Sequence, residues 1–264
     1  VRPDGAGGIA ATFNVPIRTV ALRGSRATCG IGSGITSGAT AHGEWSEWAA
    51  KRLFVERASA PFDLLETLAL EDGRLRHRTE HLARMARASA HFGLPWEEAR
   101  VQACLDVLCA TRPHGLWRAR LRLDVLGAPH AEAFALHPTA TPVVLALADR
   151  PFTEAHGEFT RHKTTRRAHY AAFAPPPGIF DTVLYNAAGE ITESTFGNVA
   201  ARLDGRWITP ALTCGLLPGV GRSVALREGR IMEGVLRLTD VPHVERWAFI
   251  NSLRGWLDAR LRTP

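Results

Sequence analysis

Lysine is nearly missing from this chain. Of 264 residues 32 are basic, yet only Lys51 and Lys163 are lysines, and arginine supplies the other 30. Arginine stays protonated, whereas lysine can shed its proton and act as a nucleophile or Schiff-base amine. A lysine kept at position 163 in so arginine-rich a chain is therefore expected to have a chemical task. Cysteine is also scarce. Cys29, Cys104, Cys109 and Cys214 form no C-x-x-C pair, which excludes a zinc knuckle or a thioredoxin-like motif. They read as reduced, mostly buried thiols of a cytoplasmic protein, and no metal site is expected. No apolar run approaches the roughly 18–20 residues that span a bilayer. Val1-Arg2-Pro3-Asp4-Gly5 shows no charged-then-apolar signal pattern. The chain opens without Met, on a Pro/Gly turn, and is expected to begin inside a longer polypeptide. Blocks of like charge are absent too. The net charge of +6 is scattered singly, which argues against nucleic acid and for attraction of small anionic substrates.

What is present describes a soluble globular protein, 45% apolar and 22% charged. Residues 12–22 and 28–35 read as strands, the second punctuated by Gly30, Gly32 and Gly34. Glu44 to Val55 has helical spacing and sets Glu44, Glu47 and Lys51 on one stripe, which a surface ion-pair ladder would also explain. After the Ala58-Ser59-Ala60-Pro61 linker come strands over 62–70 and 74–78. A helix over 80–92 follows, with Leu82, Met85, Ser89 and Phe92 inward. Next are a helix over 95–110 and strands over 117–126 and 131–136. Pro138 and Pro142 mark a crossing. Beyond it lie a strand from Val143, a helix over 164–173, strands over 182–186, 190–203 and 206–209, a helix from Gly219 to Arg227 and a strand over 247–251. Asp204-Gly205 between apolar runs is a hairpin signal. The pattern predicts an α/β (α+β) fold of two subdomains meeting near residue 140, with a ligand cleft between them.

A pyridoxal 5'-phosphate site needs a lysine for the Schiff base and a carboxylate for the pyridine nitrogen. It also needs helix N-terminal amides and an arginine for the phosphate. Lys163, Glu193, the Gly219-Val220-Gly221 helix start and Arg84 supply these groups. Each alone is weak, since Glu193 could be a strand-surface residue and Pro-Gly before a helix is common.

Together and in order they resemble the fold-type IV pyridoxal-phosphate enzymes, which include branched-chain and D-amino-acid aminotransferases and aminodeoxychorismate lyases. The resemblance covers residues 60–264. It is carried by Phe62 to Leu68, by Glu80-His81-Leu82-Ala83-Arg84-Met85 and by His162-Lys163-Thr164-Thr165. Gly189 to Ser194 with Gly197-Asn198-Val199, and Leu216 to Arg222, complete it. It implies Lys163 as the catalytic residue, with Arg84, Lys163, Glu193 and the amides of Val220 and Gly221 holding the cofactor. Many relatives carry Thr where Gly221 stands, so a Gly221→Thr change is expected to add a hydroxyl to the phosphate site if the backbone there tolerates a side chain. Some relatives place a Tyr five residues after the lysine, on the cofactor's phenolic oxygen. Ala168 stands there, and that role is not carried over to Tyr170. Arg120, Arg122, Ser252 and Arg254 are the candidates for the substrate carboxylates.

The first 55 residues resemble the C-terminal end of chorismate-utilising enzymes such as aminodeoxychorismate synthase component I. Phe13 to Thr19, Gly30 to Ile35 and Glu44-x-x-Glu47-x-x-x-Lys51 carry that likeness. So short a segment cannot supply such a domain's sheet and is expected to be a remnant without synthase activity. The implied division is 1–57 for the remnant, 58–140 for a small subdomain and 141–264 for a large cofactor-binding one. The two resemblances together imply a lyase converting 4-amino-4-deoxychorismate to 4-aminobenzoate and pyruvate, a step toward folate, in a cytoplasmic homodimer. An aminotransferase on the same fold, an anion- or nucleic-acid-binding protein and a catalytically dead fusion partner remain open.

Overall fold

The computed structural model describes residues 2–3, 8–10 and 19–262. The chain divides into two compact units, Val1–Pro61 and Phe62–Pro264.

In the first unit β1 (Arg2–Pro3) pairs with β2 (Ile9–Ala10), and β3 (Val20–Arg23) with β4 (Arg26–Cys29). A helix, α1 (Ala41–Ser59), follows. Most of the strand expected over 12–22, with residues Phe13 to Arg18, lies outside the described residues. The glycine-punctuated segment is strand only as far as Cys29. Lys51 pairs with Glu47 at 2.5 Å and donates to the Gly32 carbonyl at 2.9 Å. Trp48 Nε1 donates to Ser33 Oγ at 2.6 Å, and Ser33 in turn bonds Glu44. The charged stripe of α1 thus holds the glycine-rich segment.

In the second unit β5 (Leu64–Glu71), β6 (Arg74–Leu75), α2 (Arg78–Phe92), α3 (Glu98–Ala110), β7 (Leu116–Leu123) and β8 (Pro129–Ala135) come first. The strands form an antiparallel sheet in the order β6-β5-β7-β8. Side chains alternate across a strand, so Leu64, Leu68, Leu70, Ala119, Leu121 and Leu123 share one face. They form a core with Leu82, Met85, Val101, Leu105 and Leu108 of the two helices. The opposite face carries Leu65, Thr67, Arg118, Arg120 and Arg122. One residue violates the pattern: Glu66 stands in the apolar phase of β5 and is 1% exposed.

The remainder comprises β9 (Val143–Leu147), α4 (Glu158–Arg161), α5 (Ala168–Ala171), β10 (Asp181–Tyr185), β11 (Ile191–Ser194), β12 (Asn198–Leu203), β13 (Arg206–Pro210), α6 (Val220–Arg227), β14 (Met232–Gly234), β15 (Arg246–Asn251) and β16 (Gly255–Arg262). Its strands build a mixed sheet in the order β11-β10-β9-β16-β15-β12-β13-β14. Leu145, Val183, Ile191, Val199, Trp247, Phe249 and Leu257 fill one side of this sheet. Ala200, Ala248 and Ile250 face Ala225 and Ile231 on the other.

Two expected elements give way to tertiary structure. The helix expected over 164–173 shrinks to α5, because residues 163–165 run along β5 instead. Leu65 N donates to Lys163 O at 3.0 Å, and Thr165 N to Asp63 O at 2.9 Å. The strand expected over 190–203 breaks at Thr195-Phe196-Gly197, where Ser194 N donates back to Gly197 O at 2.8 Å. A Cβ on Gly197 would overlap the Phe249 ring, so the turn packs without room for a side chain there. The sheet also gains two strands beyond those expected, β14 and β16; in β16 Leu257, Ala259 and Leu261 alternate with Asp258 and Arg260.

The turn between β11 and β12 is pinned by a fully buried carboxylate. Asp181 Oδ1 accepts from Thr182 N at 2.8 Å, Thr195 Oγ1 at 2.5 Å and Thr195 N at 3.2 Å, and Oδ2 accepts from Phe196 N at 3.2 Å. Losing the acceptor leaves several buried donors unpaired, so Asp181→Ala is expected to cost about 3 kcal/mol. Asp181→Asn, which keeps one acceptor oxygen, is expected to cost clearly less. Urea unfolding of the three proteins checks this, and equal stabilities would show that the carboxylate does not hold the turn.

Candidate active site

Within the second unit the two sheets enclose a cavity of about 430 Å³. Its wall brings together Arg84 of α2, Lys163 beside β5, Glu193 of β11, Gly219 and Val220 at the start of α6, and Ser252 and Arg254 between β15 and β16. Residues far apart in sequence thus share one space.

Lys163 is half-buried. Loss of water, then the Arg167 and Arg84 guanidiniums, push its ammonium down to about 7. Near neutral pH a large fraction is therefore free amine, able to attack a carbonyl or take a proton. Glu193 is buried, and burial pushes its carboxyl up to about 7. Its Oε1 accepts from the Tyr170 hydroxyl at 2.7 Å and its Oε2 from the Leu217 amide at 3.1 Å. Burial and the neighbouring Glu193 raise the Tyr170 hydroxyl well above its ordinary value, so it remains a donor.

Arg84 is held by Glu66. Its Nε donates to Glu66 Oε1 at 2.8 Å and its Nη2 donates to Glu66 Oε2 at 2.5 Å, while Nη1 donates to the Pro218 carbonyl at 3.2 Å. His81 adds a second support, with Nδ1 at 2.6 Å from Glu66 Oε2 and Nε2 at 2.6 Å from Ser252 Oγ. Burial holds the His81 imidazole below its usual range against the pull of Glu66. A neutral ring donates from Nδ1 to the carboxylate and accepts the Ser252 hydroxyl at Nε2. Burial alone would raise the Glu66 carboxyl, but Arg84 and His81 overcome it and hold it down at about 2.

At α6 no side chain among the described residues caps the first turn, so its amides remain a site for an anion. A Cβ on Gly219 would overlap Asn198 Oδ1, and Asn198 Nδ2 donates to Leu217 O at 3.0 Å. Gly221 stands behind the cavity wall. A Cβ there would lie 2.7 Å from the Asn251 carbonyl carbon and 2.9 Å from Ser252 N. Backbone cannot yield as a flexible side chain does, so the gain expected from a Thr hydroxyl at 221 does not hold in this chain. Arg222 is turned away, donating to Pro210 O at 2.8 Å and pairing with Glu233.

The substrate candidates divide. Ser252 and Arg254 line the cavity, but Arg120 and Arg122 do not, and Arg122 instead pairs with Asp63 at 2.9 Å. Arg118, on the same face of β7, reaches the wall in their place, its guanidinium 4.8 Å from the centre of the Phe134 ring. Strand phase selects the right face but not the point along it where the cavity lies. Glu66 and Arg167 are further members of the site that the sequence motifs do not mark. A charged residue in the apolar phase of β5 is a usable signal for Glu66, whereas nothing but closeness to Lys163 points to Arg167.

Arg84→Ala leaves the Glu66 carboxylate buried without its guanidinium, which typically costs about 3–5 kcal/mol. Glu66→Gln added to Arg84→Ala is expected to recover part of that loss. In the unaltered protein the held-down Glu66 contributes stability above its ordinary value of 4.5, and the contribution is lost as pH falls toward about 2. Arg84→Ala is therefore expected to lose less at acid pH than at pH 7. Gly221→Thr is expected to lower stability without tightening phosphate binding. Denaturant unfolding at two pH values, with a phosphate-ester titration, checks all three outcomes; additive single and double variants would rule out the Glu66–Arg84 coupling.

The chain is similar to proteins already known. The amino-transferase class IV family matches residues 63–261, and the chorismate binding enzyme family matches residues 6–56. A Schizosaccharomyces pombe protein described as a candidate aminodeoxychorismate lyase is 31% identical over 202 residues, 73% of this chain and 86% of that protein. A Mesorhizobium loti structure described as a candidate amino-acid aminotransferase is 33% identical, with a TM-score of 0.71, covering 76% of this chain and 100% of its own. A hypothetical aminotransferase of Mycobacterium tuberculosis, solved in PLP-bound form, shares the fold at 18% identity and a TM-score of 0.59, covering 75% of this chain and 81% of its own. Residues 63–261, with Lys163, Glu193 and Arg84 around one cavity, make this chain a member of the class IV aminotransferase family.

Proposed function

We propose that the Phe62–Pro264 unit binds pyridoxal 5'-phosphate and removes the enolpyruvyl group of 4-amino-4-deoxychorismate, giving 4-aminobenzoate and pyruvate. The observation that carries this choice of substrate is the chorismate-binding segment in the same chain. The description of the Schizosaccharomyces pombe relative supports it.

The wall fits the cofactor. A carboxyl starved of water at Glu193 suits a ring nitrogen that carries a proton. The uncapped turn of α6, approached closely at Gly219, suits a phosphate, as does the remaining donor capacity of Arg84. Lys163 suits the aldehyde. When bound, pyridoxal phosphate supplies an electron sink for the carbon bearing the substrate amine.

The chain's own residues do the rest. Lys163 Nζ takes the proton from the amine-bearing ring carbon, which a lysine near 7 can do at neutral pH. The bond from the ring to the enolpyruvyl oxygen then breaks, and the ring becomes aromatic. Lys163 returns a proton toward the departing enolpyruvate, which becomes pyruvate. The two products together contain the atoms of the substrate, so neither water nor an oxidant is consumed. Glu193, held by Tyr170 and Leu217, would hold the proton on the ring nitrogen. Arg118, Arg254 and Ser252 at the cavity wall would receive the two substrate carboxylates.

The Mesorhizobium loti likeness favours a second reading, amino transfer to a 2-oxo acid. Incubation with 4-amino-4-deoxychorismate is expected to release 4-aminobenzoate and pyruvate in equal amounts. Conversion of the bound cofactor to pyridoxamine phosphate by branched-chain or D-amino acids, with no 4-aminobenzoate formed, would decide for the second reading. Lys163→Ala is expected to abolish turnover, and Lys163→Arg not to restore it. Glu193→Gln is expected to keep the cofactor and slow the reaction roughly tenfold to a hundredfold, the effect of one charge-assisted hydrogen bond.

A further inference from the structure

Arg167 is the charged group that acts most strongly on Lys163, ahead of Arg84, Glu66 and Glu193. It lies four residues after the lysine, in the loop before α5, and lines the same cavity. Its guanidinium stacks 4.4 Å from the centre of the Tyr170 ring, and its Nη2 donates to the Thr195 carbonyl at 2.6 Å. Those are its direct contacts among the described residues; no carboxylate is hydrogen-bonded or ion-paired to it, and Glu193 is felt only through space. Arg84, by contrast, is matched by Glu66. A cation on a cavity wall, fixed on one face and one edge but not neutralised, is a site for an anionic oxygen.

The neighbouring hydroxyls cannot serve that oxygen as donors, since each already spends its proton. Tyr170 donates to Glu193 at 2.7 Å, Ser194 Oγ to Gly197 O at 3.0 Å and Thr195 Oγ1 to Asp181 at 2.5 Å. Arg167 retains N–H groups to give. Tyr170, on whose ring the guanidinium stacks, bonds Glu193 at 2.7 Å, and Arg167, Lys163 and Glu193 line the same cavity. Pyridoxal phosphate has a phenolic oxygen on one side of its aldehyde carbon and the phosphate arm on the other. The phosphate side is accounted for by Arg84 and α6.

We propose that Arg167 is the cation that receives the cofactor's phenolic oxygen, holding it as the anion beside Lys163. This rests on the cofactor reading above. By stabilising the anion, Arg167 also makes a proton shared between that oxygen and the lysine nitrogen easier to lose. Removing the guanidinium should therefore raise the pH at which the proton leaves.

The test uses the full chain, loaded with pyridoxal phosphate, without substrate. Visible absorbance of wild type, Arg167→Gln and Arg167→Lys is followed against pH, with cofactor stoichiometry and thermal melting as controls for folding. In Arg167→Gln the transition is expected to move up by about one pH unit or more, a tenfold change in proton affinity. Arg167→Lys, which keeps the charge without the fork of donors, is expected to fall between. A second readout needs no cofactor. The rate at which Lys163 is modified by a small aldehyde and trapped by borohydride is expected to have its midpoint shifted upward in Arg167→Gln. An unmoved absorbance transition in well-folded, fully loaded Arg167→Gln overturns the proposal. Wild-type protein that takes up no cofactor would instead refute the reading on which the proposal rests.

Discussion

The Glu66 carboxylate is the group on which the cavity most depends. Placing a charge in the apolar phase of a strand is costly unless it is paired and fully bonded. Arg84 and His81 meet that cost from two successive turns of α2, and His81 passes the contact on to Ser252. Arg84 carries it to Pro218, just before α6. One buried anion thus ties the first sheet to both segments of the second that face the cavity. The interaction is better understood as fixing position than as adding net stability, because a well-packed apolar replacement can be equally stable. An apolar residue at 66 would leave Arg84 without an orientation.

A second level of order comes from the turn at Thr195 to Gly197. Its backbone is fixed by Asp181 from below and by Phe249 from the side, and it gives Arg167 the Thr195 carbonyl. The side chains around Lys163 therefore owe their places to groups that never face the cavity. The result is an electrostatic contrast within a few residues. The lysine is driven toward the neutral amine, the glutamate toward the neutral acid, and Glu66 firmly toward the anion. Pushing titratable groups apart in this way separates acid, base and scaffold roles at one pH.

Much of this is legible in the sequence because it is periodic or rare. The alternation in β5 and β7 identifies the core face, and the apolar stripe Leu82, Met85, Ser89 locates α2. The shortage of lysine draws attention to Lys163 before any neighbour is considered. What is not legible depends on distant partners. Residues 163–165 have no local reason to be extended; they are so because β5 supplies their hydrogen bonds. Arg118, Arg120 and Arg122 have the same strand phase, and only the meeting of the two sheets shows that the first reaches the cavity. The role of Gly221 is likewise invisible, since it is set by the backbone of Asn251 and Ser252, far along the chain.

The arginines of the wall differ in how they are supported. Arg84 is built into the fold through Glu66. Arg118 rests on the Phe134 ring, and Arg254 on the His137 carbonyl and the Thr139 hydroxyl. Exchanging either of the latter two would strand no buried carboxylate. The part of the wall that carries Arg84 is therefore bound into the fold, whereas Arg118 and Arg254 are separable from it. Substitution at 118 or 254 would change the charge that lines the cavity while leaving the Glu66–Arg84 support intact.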